Sequence, residues 1–270
     1  MSNDHPRPPR PFYDDAPPAV REAVQALYHW HDGLREAARA DGPRSFAAEA
    51  DRVLAEQPLS FLPEATARAA YRACRTHGLP LADLAGQVRA AYAWQGPLRF
   101  PSRADLRAFE EEWALSHGRQ LARLADAYHR WQHDAVHELS RAFFSTARLM
   151  HLPDDLARDQ LFIPLSDLQQ VGVSLEELRA GHRTEGVQRL LWRQVVRARD
   201  AYGQAMPLVK DLDRRVRSPF KRWWLAGLEM LNQIERNGYD VWTQPPSLGW
   251  HHKVQIRLQA WFGKTTFRPR

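Results

Sequence analysis

Apolar residues that return every three or four positions constrain this chain more than any other feature. Val20, Val24, Leu27, Trp30 and Leu34 fall on one side of a helix. The same rhythm recurs over roughly 45–56, 63–76, 80–92, 102–128, 131–150, 167–180, 184–206, 207–236 and 250–262. No stretch alternates apolar and polar residues with a period of two, so no sheet is expected. Breaks fall where helix-stopping residues stand: Asp41-Gly42-Pro43, Gly78 and Gly96-Pro97. Ser102 followed by Asp105 is close to a capping box and predicts a helix start. The expectation is an all-α chain: a single-domain helical bundle with no linker dividing it.

Three segments are expected. Residues 1–18 hold six prolines and few apolar side chains, the pattern of a flexible N-terminal arm. Residues 19–264 form the helical domain, and 265–270 a basic tail. At 44% hydrophobic and 26% charged the composition is that of a globular protein, long enough to bury a sizeable core. The formal charge of +6 comes without a continuous basic run before the last turns, so nucleic acid is not expected as a partner. A single cysteine, Cys74, rules out an internal disulfide and fits a reducing compartment. With no signal-type leader and no run of about 18 apolar residues, the expected location is the cytoplasm. Arg257, Lys264, Arg268 and Arg270, with Trp261, Phe262 and Phe267, make peripheral membrane contact a further expectation.

Several residues bear on chemistry. Asp32 and Glu36 stand four apart on one helical face, a D-x-x-x-E pair. Asp154 and Asp155 follow an apolar helix that ends near Met150, with His151 four residues before Asp155. His151 and Asp155 suit Zn, Fe or Mn better than Mg2+, and Pro153 between them argues against one continuous helix. They are weak metal candidates, and Asp154 and Asp155 also suit the start of the next helix. His129, His133 and His137 recur every four residues, which reads best as a solvated stripe, since a third ligand one turn on lies about 5 Å too far. Aromatics abound, among them Trp30, Trp94, Trp113, Phe143 and Phe144. At helical spacing these are core, and they also suit the walls of an apolar cavity.

The stretch Leu139–Gly181 resembles the second aspartate-rich region of the squalene/phytoene synthase family, most of all the hydroxysqualene synthases of bacterial hopanoid biosynthesis. It has the order helix, acidic pair, aromatic, proline, L-x-x-x-G, E-E-L. Against the family pattern Q-L-T-N-x-x-x-D-V-x-x-D-x-x-x-G-R-x-Y-x-P, Phe144 stands for Gln, Ala147 for Asn and His151 for the first Asp. Asp155 is kept, Asp159-Gln160 replaces Gly-Arg, Phe162 replaces Tyr, and Pro164 is kept. The first motif, Y-A-F-x-R-x-x-D-D-x-x-D, aligns with residues 28–39. Tyr28 is kept, and the three carboxylate positions hold Arg35, Glu36 and Arg39. Near the C-terminus, Arg197-Ala198-Arg199 matches an R-A-R run, and Ile234-Glu235 with Gly238-Tyr239-Asp240-Val241 matches I-E-x-x-G-Y-D-V.

The resemblance implies an all-α fold around a central cavity, with two acidic helices facing each other across a Mg2+ cluster that ionises a prenyl diphosphate. Tyr28, Asp32, Arg35, Glu36, Arg39, Phe144, Ala147, His151, Asp154, Asp155 and Phe162 are the positions it places on that cavity. Arginines cannot ligate Mg2+. The expected cofactor is therefore none, and the expected function is a divergent isoprenoid-binding or accessory protein without Mg2+-dependent condensation. A mitochondrial complex I assembly factor sets a family precedent. An isoprenoid or its diphosphate, and a protein, are the expected partners. The alternatives are an active squalene or hydroxysqualene synthase using Mg2+ and NADPH, with Asp32 and Glu36 as substitute ligands, and an altered chemistry on a diphosphate such as farnesyl diphosphate. Arg35 or Arg39 is expected to pair with Asp155 or Asp154 in the space of the lost ions.

Overall fold

The computed structural model describes residues 10–39, 46–212 and 214–262. The expected basic tail at 265–270 lies outside them. The regular elements of the described residues are helices: α1 (Pro18–Arg39), α2 (Phe46–Leu54), α3 (Glu64–His77), α4 (Leu81–Ala91), α5 (Arg103–Glu110), α6 (Ser116–Leu124), α7 (His133–Met150), α8 (Leu152–Ala157), α9 (Leu165–Val171), α10 (Leu175–Arg179), α11 (Glu185–Gln204), α12 (Met206–Asp211), α13 (Arg214–Arg236) and α14 (Trp250–Phe262). Among the described residues there is no strand. Among them, an isolated parallel bridge joins Leu98 to Gln160 and ties the segment before α5 to the turn after α8.

The sequence signals act locally as expected. Ser102 and Asp105 complete the capping box of α5, and Gly78 ends α3 in a left-handed conformation at φ 62°. α5 and α6 form one long rod joined by a π turn at Glu111–Leu115. Gly118 lets that rod lie against α7, because a Cβ there would collide with the Ser140 hydroxyl. Gly227 serves α13 in the same way, since a Cβ would strike the Tyr202 ring on α11. The core buries Trp30, Leu27, Leu34, Leu84, Leu190, Leu191 and Tyr202 almost completely. Each such side chain contributes about 1.5–3 kcal/mol.

Four expectations change. The helix expected at 167–180 is two, because Gly172 takes φ 69° and ends α9. The helix expected at 207–236 is also two, because Leu212 is extended. The histidine stripe is not on one helix: His129 precedes a short 3-10 turn, and α7 begins at His133. The proline-rich lead is packed from Arg10 on. Phe12 is 2% exposed and meets Trp223 edge-on at 5.4 Å. Tyr28 donates to the Pro11 carbonyl at 2.7 Å, and Asp15 accepts from Arg222 at 2.9 Å and from the Trp223 indole at 3.2 Å.

Candidate functional site

A cavity of about 630 Å³ opens between α1, the α5–α6 rod, α7, α8, α12, α13 and the packed N-terminal segment. Its lining has two chemistries. One part is apolar: Leu121, Val136, Leu139, Phe143, Phe144, Leu208, Val216, Phe220 and Trp223. The other is charged: Arg10, Asp32, Arg35, Glu36, Arg39, Arg148, Asp154, Asp155 and Arg158. The periodicity that buries Leu27, Trp30 and Leu34 of α1 turns Tyr28, Asp32, Arg35, Glu36 and Arg39 toward this space. α7 and α8 supply Phe144, Ala147, His151, Asp154 and Asp155 from across it. The candidate positions are thus brought together, with one departure. Phe162 stands behind the wall, packed on Phe144 at 5.6 Å, and lines a second, smaller cavity of about 260 Å³ instead.

The charged groups are tied to one another. Asp155 is 1% exposed, and Arg148 donates from one nitrogen to both its oxygens at 2.9 Å. Arg39 reaches the same carboxylate at 3.6 Å. The expected pair across the cavity is therefore present as Arg39–Asp155, while Asp155 has its principal partner in Arg148. Arg35 turns back to Asp32 at 2.9 Å, and Arg10 takes the other Asp32 oxygen at 2.6 Å. His151 Nδ1 lies 3.3 Å from Asp154. Burial pushes the Asp155 carboxyl above its ordinary range, against the pull of Arg148 and Arg39. Burial likewise lowers Arg148, and it brings Arg39 down to about 10 with the help of nearby Arg35 and Arg148. Aromatic faces support both cations. Arg148 stands 5.2 Å from the Phe162 ring and 5.3 Å from Trp94, and Arg39 stands 5.0 Å from Trp94.

Next to the charged set lies a stacked imidazole pair. His31 and His117 are 4.5 Å apart, with Trp113 4.0 Å from His31 and Tyr28 edge-on to His117 at 4.8 Å. Burial holds both histidines neutral, His117 down to about 3. Burial also raises the Tyr28 hydroxyl well above its ordinary value.

The donor set does not fit a Mg2+ cluster. Mg2+ requires near-octahedral oxygen ligands. Both oxygens of Asp155 and both of Asp32 already accept from arginines, and Arg35 and Arg39 occupy two of the three first-motif positions. Of the D-x-x-x-E substitute pair, Asp32 has both oxygens taken up by Arg10 and Arg35, while Glu36 is exposed on the cavity lining. His151 and Asp155 do not converge: His151 pairs with Asp154, and Asp155 with Arg148. Among the described residues, no group of three or more His, Cys, Asp or Glu side chains could hold a metal ion.

Sequence reasoning missed Arg148, His31, His117 and Arg10. Arg148 had a signal, since it stands seven residues, two helical turns, before Asp155. Pro153 between them hid the shared face. Arg10 had none, because a proline-rich lead carries no periodicity to place it.

The matching C-terminal motifs prove to be framework. Arg197 binds Asp167 at 2.6 Å, and Arg103 reaches that same carboxylate at 2.5 Å, joining α5, α9 and α11. Gly238 and Tyr239 are both left-handed and Asp240 accepts from the Thr243 amide at 2.9 Å, which closes the turn after α13. Asp159, at the family's glycine position, keeps a left-handed φ of 59° and is held by Arg99 and Arg179. The backbone turn survives the change of residue.

The described fold has close counterparts among solved structures. It is similar to squalene synthase HpnC from Alicyclobacillus acidocaldarius, with a TM-score of 0.72 and 21% identity over 84% of this chain and 87% of that one. It is also similar to a dehydrosqualene synthase in complex with ligand, with a TM-score of 0.77 and 15% identity over 92% and 88% of the two chains. In sequence it is 32% identical over 145 residues to phytoene synthase of Thermus thermophilus, covering 54% of this chain and 50% of that protein. It is 27% identical over 121 residues to the chloroplastic phytoene synthase of Cucumis melo, covering 45% and 28%. The matches thus span half the length of these relatives or less. Residues 13–259 match the family described as squalene/phytoene synthase, which takes in nearly every helix from the packed lead to α14. By fold and by sequence, this chain belongs to the squalene/phytoene synthase family.

Proposed function

We propose that the protein binds an isoprenoid in its central cavity and does not carry out Mg2+-dependent prenyl diphosphate condensation, serving as a prenyl-binding or accessory protein. The observation that carries this reading is the pairing of Arg39 with Asp155, both at metal-motif positions, and of Asp155 with neighbouring Arg148, beside a cavity whose other part stays open and apolar. An occluded cavity would have pointed to a purely structural remnant. Instead, Phe143, Phe144, Phe220 and Trp223 keep an aromatic wall suited to a long unsaturated hydrocarbon. The similar proteins named above are all synthases of isoprenoid hydrocarbons, which supports the same ligand class here.

A second reading has its own observation. Arg35, Arg39 and Arg158 all line the cavity, and a diphosphate held by guanidinium groups alone is the altered chemistry they would serve. Titrating the protein with farnesol and with farnesyl diphosphate, each in EDTA and in excess Mg2+, separates the readings through quenching of the cavity tryptophans. The proposal expects both ligands to bind and Mg2+ to change neither affinity. Binding of the diphosphate alone, lost in Arg39→Ala, would favour the second reading. No binding of either would remove the isoprenoid from the account.

A further inference from the structure

The C-terminal helix α14 has two apolar faces, and among the described residues only one of them is covered. Ile256 and Ala260 are 7% and 5% exposed, and His252 reaches Glu229 of α13 at 3.5 Å. That stripe, at 252, 256 and 260, seats the helix on the body. Trp250, Val254 and Leu258 lie two residues away from it, about 200° around the helix. They are 78%, 45% and 55% exposed. Lys253 and Arg257 flank this outer stripe and are exposed as well. α14 contains no acidic residue.

From this arrangement we infer that α14 is a membrane-docking element that lays its outer stripe into a lipid surface bearing anionic headgroups. An apolar row edged by cations, led by a tryptophan at one end, matches the demands of the headgroup–acyl boundary. The stripe is one side chain wide. A stable protein interface buries roughly 800 Å² per partner, and a single row is too narrow for that. The other exposed aromatics among the described residues, Tyr92, Trp131 and Trp192, stand on separate elements and do not extend it. In sequence, Lys264, Arg268 and Arg270 continue the positive charge after the helix without an acidic residue among them. No helix among the described residues is long and apolar enough to cross a membrane, so the contact is peripheral. α13 joins this element to the cavity: Val216, Phe220 and Trp223 in its first half line the cavity, and Glu229 in its second half faces α14.

The test is co-sedimentation of the full chain with vesicles of phosphatidylcholine alone and of equal parts phosphatidylcholine and phosphatidylglycerol. Wild type is compared with Trp250→Glu/Leu258→Glu and with Lys253→Glu/Arg257→Glu. Both variants change only outward-facing side chains, and circular dichroism checks their fold. Wild type should pellet with the mixed vesicles, and each variant should bind about tenfold more weakly, as should wild type in high salt. Failure to bind either vesicle overturns the inference, as does equal binding by wild type and the variants. A dimer in light scattering that Trp250→Glu/Leu258→Glu dissolves, without vesicle binding, assigns the stripe to a second copy of the chain instead.

Discussion

The two charged walls of the cavity use the same chemistry at different depths. On α1, Asp32 holds Arg10 and Arg35 with side chains that are 20–33% exposed. On α7 and α8, Asp155 holds Arg148 with side chains that are 2% and 10% exposed. The pairs on α1 exchange water for guanidinium at little net gain, as exposed pairs generally do. The pair on α7–α8 has lost its water, and each partner depends on the other. Burial, not the number of charges, ranks the residues of this site.

Removing one buried partner should therefore have the largest effect. Asp155→Ala leaves Arg148 unpaired and should cost about 3–5 kcal/mol in urea unfolding. The double change Arg148→Met/Asp155→Leu should recover most of that loss, since an apolar pair of similar volume substitutes well for a buried ion pair. A cost below about 1 kcal/mol for the single change would put Asp155 in the same class as Asp32.

The histidine pair comes next. His117 has a folded-state value depressed to about 3, so its neutral burial stabilises the fold fully above the unfolded value near 6.5. That stability is lost as pH falls from there toward 3, by an amount of order 4 kcal/mol. His117→Phe should flatten the dependence of the urea midpoint on pH across this window. An unchanged slope would mean that the site is wetter than its geometry indicates.

Glu110 acts in the opposite direction. It is 5% exposed, with the Arg141 Nε 3.7 Å away, and burial raises it to about 7. A raised carboxyl contributes its stability below the unfolded value near 4.5 and loses it as pH rises through 7. Glu110→Gln should be the more stable protein at pH 8, by about 3 kcal/mol relative to the difference at pH 4. If the wild type gains stability over that range relative to the variant, Arg141 outweighs the burial.

The smallest effect belongs to the outer pairs. Asp32→Ala and Arg35→Ala should each change stability by about 1 kcal/mol or less, and less again in high salt. A larger loss at Asp32 would show that Arg10 and the packed lead depend on it.

These contrasts bear on what the sequence could reveal. The helices were legible because burial on one face imposes a period, and the caps at Ser102 and Gly78 because they satisfy backbone groups locally. The breaks at Gly172 and Leu212 were not, since apolar spacing carried on across both. At the site, motif positions told which residues meet, as the Arg39–Asp155 contact shows. They did not tell which partner dominates. Arg148 wins over Arg39 through a 2.9 Å approach to both oxygens, a distance no spacing rule contains. Phe12 and Arg10 were hidden for a different reason: their packing depends on α1 and α13, remote in sequence.

The central claim is that ion pairs have taken the place of a catalytic metal cluster. It is tested most directly by incubating the protein with farnesyl diphosphate and NADPH across a Mg2+ titration, with extraction and product analysis. The account predicts no presqualene diphosphate, squalene or hydroxysqualene above the buffer control at any Mg2+ concentration. Formation of any of them at a Mg2+-dependent rate well above buffer would contradict it.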